Sequence, residues 1–128
     1  MARMARINAA LAFAVALNLG LAAPADAEGR LHNLCGWTVR SPQEAFDRLA
    51  KQKNVRGIQR TSEYISYHDQ VADRVWTFTV AGHSAHPAVI CRYPTSDGIQ
   101  MNVVCGGTKA ICDELVRQFE EQTRKVTR

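Results

Sequence analysis

Apolar residues run almost unbroken over positions 7–23, through Leu11, Phe13, Val15, Leu17, Leu19 and Leu21. After Ser41 they recur at helical spacing, from about Gln59 they alternate, and beyond Thr108 the helical spacing returns. Ser41-Pro42-Gln43-Glu44 sets a capping serine ahead of a proline suited to the first helical position, with a glutamate able to reach back to the serine amide. Ala45, Phe46, Leu49 and Ala50 share one face, and the pattern ends near Lys53, where Asn54 and Gly57 can terminate a helix.

Period two predicts strands over 61–67, 74–80, 88–93 and 99–105, rich in aromatic and β-branched residues. Thr95-Ser96-Asp97-Gly98 predicts a three-residue hairpin loop ending on Gly98, with Thr95 facing Ile99. That register sets Cys91 opposite Val103 and Val89 opposite Cys105. It buries Ile99, Met101, Val103 and Cys105 on one face, shared with Cys91, and leaves Val104 as an exception. Thr108 then caps a closing helix with Ile111, Cys112, Leu115 and Phe119 as its apolar stripe. The expected architecture is α+β: a four-stranded antiparallel meander with an N-terminal and a C-terminal helix packed on one face.

The apolar run follows Arg3 and Arg6 and is succeeded by Ala25-Asp26-Ala27, the small-x-small pattern of a signal-peptidase site. Residues 1–27 therefore read as a signal peptide and 28–128 as one domain. Asn8, Asn18 and Gly20 interrupt the run, which falls short of a clean membrane span. Removal of the leader leaves 14 Lys and Arg (16 less Arg3 and Arg6) against 11 Asp and Glu (12 less Asp26). This mild positive balance suits an anionic envelope component or a protein partner and does not argue for nucleic acid.

Cys35, Cys91, Cys105 and Cys112 all follow the leader. An even count in an oxidising compartment predicts two disulfides, and no C-x-x-C spacing marks a redox or zinc-ribbon site. Three pairings are open, of which Cys105–Cys112 with Cys35–Cys91 is preferred. The expected location is periplasmic or secreted.

Candidate chemistry is sparse. His83 and His86, bounded by Gly82 and Pro87, are the candidate metal ligands, with His68 or His32 as a distant third. A hydrolase reading takes Ser84 as nucleophile, His83 or His86 as base and Asp69 or Asp73 as orienter, without the G-x-S-x-G elbow. Lys51, Lys53, Arg56 and Arg60 follow the first helix as a basic cluster. On the first hairpin, Tyr64 and Ser66 are assigned inward with Trp76, and Ile65 and Tyr67 outward with Thr77 and Thr79. Ile65, Tyr67, Arg56 and Arg60 thus form the expected binding surface. No cofactor is called for, and the pattern reads as a non-enzymatic binding or accessory module of the cell envelope.

Overall fold

The computed structural model describes residues 30–127; the expected leader, 1–27, lies outside them. The chain forms strands β1 (His32–Leu34) and β2 (Trp37–Val39), helix α1 (Pro42–Leu49), strands β3 (Val55–Arg60), β4 (Tyr64–Asp69), β5 (Arg74–Thr79), β6 (Ala88–Thr95) and β7 (Gly98–Cys105), and helix α2 (Lys109–Thr127). Strands β3 to β7 make a five-stranded antiparallel sheet in sequence order, and β1 and β2 make a separate two-stranded hairpin. The expected four-stranded sheet with two helices on one face is therefore corrected: the domain is mostly sheet, with one short and one long helix.

Two strand pairs escaped the sequence pattern because they are short or irregular. The β1–β2 turn is Cys35-Gly36, both at positive φ (54° and 88°), as the two-residue turn that matches strand twist requires. Asn33 Oδ1 accepts from the Gly36 N–H and Asn102 Oδ1 from the Cys35 N–H, so side chains hold this turn. Helix α1 starts at the expected serine cap, with Ser41 Oγ accepting from the Glu44 N–H, while Glu44 Oε1 accepts from the Arg40 N–H, one residue before the expected serine amide. It ends at Leu49 with Ala50 as its cap. Residues expected to finish the helix instead lead into β3, whose pairing with β4 shifts at Ile58, a β-bulge that breaks strict alternation.

Directly opposed residues of an antiparallel pair share a face. Tyr67 opposes Trp76, which opposes Cys91, which opposes Asn102; Ser66 opposes Thr77, which opposes Ile90, which opposes Val103. The first face, A, is covered by α1 and the β1–β2 hairpin: Leu34, Val39, Ala45 and Leu49 pack against Trp76, Phe78, Val89, Cys91 and Val104. Trp37 stacks on Trp76 at 4.5 Å, and Phe46 meets Phe78 edge-on at 5.2 Å. The second face, B, is covered by α2, whose Leu115 and Phe119 pack on Ala88 and Ile90 with Val103 and Met101 alongside. The two helices lie on opposite faces of the sheet.

This arrangement follows from a register one residue away from the expected one. Thr95 pairs with Gly98, not Ile99, so only Ser96 and Asp97 lie between them, and Gly98 takes φ 119°. Because side chains alternate, a one-residue slip moves every residue of the strand to the other face. Cys91 opposes Asn102, and Cys105 opposes Ala88. Val104, an exception in the expected register, is a buried member of the face A core. Cys91 and Cys105 therefore sit on opposite faces. Cys35–Cys91 ties the β1–β2 hairpin to face A and Cys105–Cys112 ties α2 to face B. Double-sided cover also explains why Ala88 through Cys91 are all buried, as expected of a central strand.

Candidate functional site

Helix α2 lies over β6 and β7, and beside it a groove runs across face B. Its floor is the polar half of that face, where Ser66 and Thr77 are buried with their hydroxyls hydrogen-bonded at 2.9 Å. One wall is the flank of α2, with the buried Phe119 and the exposed Gln122; the other is the bulged edge of β3, with Ile58 and Gln59. The part near Tyr64 is polar and encloses about 350 Å³. The part toward the end of α2 is apolar and encloses about 340 Å³.

Arg92 borders both parts. It projects from β6 onto face B, where its guanidinium carbon lies 5.4 Å from the centre of the Phe119 ring. Among the described residues it has no carboxylate partner and no hydrogen-bond acceptor, and its Nε is sealed from solvent without a partner. Burial alone pushes its pKa below the usual arginine range, which still leaves it charged at neutral pH. A partly desolvated cation whose Nε–H is buried without an acceptor is an unfavourable structural element, and its terminal N–H groups, which have no acceptor among the described residues, make it a favourable anion receptor. The remaining polar side chains of the polar part include the neutral donors and acceptors Gln59, Thr61, Ser62 and Gln122. Glu63, exposed at the rim, is the one carboxylate bordering the polar part among the described residues.

Tyr64 closes the polar end. Its hydroxyl lies 2.9 Å from His83 Nε2, and burial first, then the neighbouring Glu63 charge, raises its pKa above the ordinary tyrosine value. The Ala85 N–H donates to His83 Nδ1, so Nδ1 is an acceptor and the neutral ring carries its proton on Nε2, donating to Tyr64. His86 Nδ1 lies 3.1 Å from the Thr79 carbonyl and 2.9 Å from Thr79 Oγ1; a carbonyl only accepts, so Nδ1 carries the proton. Both rings brace the 80–87 loop. A metal at His83 would have to displace one of two hydrogen bonds. Among the described residues no group of three or more His, Cys, Asp or Glu side chains is arranged to hold an ion.

The other residues singled out in the sequence are dispersed. Ser84 is exposed and has no bond to either histidine; His68 pairs with Asp73 at 3.0 Å, and Asp69 Oδ1 accepts from the Val71 and Ala72 N–H groups in the β4–β5 turn. His32 is half-buried on β1, in the hairpin that covers face A, and is not brought to the other histidines. The expected surface of Ile65, Tyr67, Arg56 and Arg60 is not one patch. Tyr67 opposes Trp76 and packs edge-on against Phe46 and Phe78, so it belongs to the face A core, and Ile65 opposes Phe78 on the same face. Tyr64 and Ser66, assigned inward with Trp76, oppose Thr79 and Thr77 on face B. Arg56 and Arg60 are exposed on β3, an outer strand of the sheet, on either side of the bulge. Their opposed partners, His68 and Ile65, lie on different faces.

Arg92 was not singled out from the sequence, although a signal was present. It follows the apolar run Ala88-Val89-Ile90-Cys91, two residues from Ile90 and therefore on the same face of the strand. A charged residue at such a position calls for a partner, and the cross-strand neighbours Val75 and Met101 are apolar. In comparisons with known proteins, no family model, curated protein or solved structure matches the chain.

Proposed function

We propose that this chain is a non-enzymatic binding module of the periplasm or the extracellular space that takes an anionic group, carried by a protein or an envelope component, into the α2 groove. The unpaired, half-buried Arg92 guanidinium carries this reading. A cation kept in a recess without a counter-charge costs stability, and an incoming carboxylate or phosphate recovers that cost. Two disulfides support the extracytoplasmic setting, and no helix among the described residues is long and apolar enough to cross a membrane.

Calorimetric titration with acetate, phosphate and sulfate tests the reading. Saturable binding that weakens with added salt and disappears in Arg92→Met is expected. Anion binding that survives Arg92→Met unchanged, or no binding to the wild-type protein, refutes it.

A further inference from the structure

The two parts of the groove differ in chemistry, and the difference specifies more of the ligand. This inference rests on the anion-binding reading and extends it to a substrate class. Beyond Arg92 the trough is lined by Val75, Pro94 and Ile99 from the sheet, Ile58 from the β3 bulge and Val126 from the last turn of α2, with Tyr93, Thr123 and the carboxylate of Asp73, which is hydrogen-bonded to His68, completing it. Ile58 is 52% exposed and Val126 73% exposed. Single exposed apolar residues are ordinary. Here, however, two of them stand as opposing walls of one apolar trough, and the bulge is what sets Ile58 at its rim.

Charge complementarity identifies the occupant. The carboxylate of the trough, Asp73, is taken up by His68, which leaves one guanidinium without a counter-charge at the head of a mainly apolar trough, so the matching ligand carries one negative head and one apolar tail. The planar fork of an arginine fits a carboxylate at two points. Glu63 at the rim makes a doubly charged head a poorer match than a singly charged one. We infer that the groove binds a straight-chain fatty carboxylate, its head on Arg92 and its chain lying between Ile58 and Val126.

The test is calorimetry on the disulfide-intact protein with hexanoate, octanoate and decanoate below their micelle concentrations, and with octanol as a chain without the charge. A fully buried methylene contributes about fourfold in affinity. A chain in an open trough should gain about two- to fourfold per methylene. Octanol should bind at least about tenfold more weakly than octanoate, the loss of one charge-assisted contact. Arg92→Met should remove the difference between octanoate and octanol, and Val126→Asp, at an exposed position that leaves the core intact, should flatten the dependence on chain length.

A flat chain-length series with acetate binding still dependent on Arg92 overturns this inference and leaves the anion reading standing. Failure of the wild-type protein to bind either acetate or octanoate overturns both. Sedimentation showing reversible self-association that Val126→Asp abolishes would give the trough to a second copy of the chain, and would also overturn the inference.

Discussion

Replacing Arg92 by methionine should stabilise the empty protein. The guanidinium has no acceptor among the described residues, and its Nε is buried without a partner, a deficit of about 1–3 kcal/mol for an unsatisfied buried donor. Its one favourable contact of note is with the Phe119 ring at 5.4 Å, about 0.5–1 kcal/mol at a partly exposed site. Methionine retains a flexible stem of similar reach and a favourable sulfur–aromatic contact with Phe119, so most of the packing survives. The balance favours the variant by about 1 kcal/mol, a rise in Tm of about 4–8 °C for a domain of this size. Urea unfolding followed by the fluorescence of the buried Trp76 measures it, since that ring lies in the face A core away from the substitution. A loss of 1 kcal/mol or more would show that Arg92 is a structural group and would refute the reasoning. Saturating ligand should reverse the order, because a ligand stabilises only the form that binds it.

The two disulfides should differ in weight. Cys35–Cys91 spans 56 residues and Cys105–Cys112 spans 7, for which chain-entropy estimates are about 4 and about 2.5 kcal/mol. Denaturant melts of the two double-alanine variants should rank in that order, and equal losses would contradict the estimate. Tyr64→Phe should lower stability by about 0.5–1.5 kcal/mol through loss of the His83 bond. Because folding raises the Tyr64 pKa, its contribution is fully present below about pH 10 and is lost as pH rises through the folded value. Wild type and Tyr64→Phe should therefore converge in stability on the alkaline side, and a gap that widens there would contradict this linkage.

Local signals were legible where one element decides its own form. The Ser41 cap, the stripe of Leu115 and Phe119, and the cores of strands β4 to β7 follow from propensity and period, and each appears within a few residues of its expected place. Failures came where the decisive information is relational. The Cys35-Gly36 turn joins strands of three residues, too short for alternation to register. Gly57 and the Ile58 bulge disguised β3 as the end of a helix. At Thr95–Gly98 the composition fits both a two- and a three-residue loop, and that choice assigns Cys91 and Cys105 to opposite faces or to one. The site was lost to the same error. With both helices placed on one face, Tyr67 looked uncovered and Arg92 drew no assignment, whereas Tyr67 lies under α1 and Arg92 lies beside α2.

The groove is a binding site only where the Arg92 guanidinium receives the ligand. NMR of the protein labelled at its arginine side chains, titrated with octanoate, observes that group directly. A saturable shift of the Arg92 guanidinium signals, with slowed solvent exchange of its terminal N–H groups and with Arg56 and Arg60 unmoved, is the predicted result. An Arg92 signal that stays in place while octanoate binds elsewhere, or moves no more than those of the exposed arginines, would contradict it.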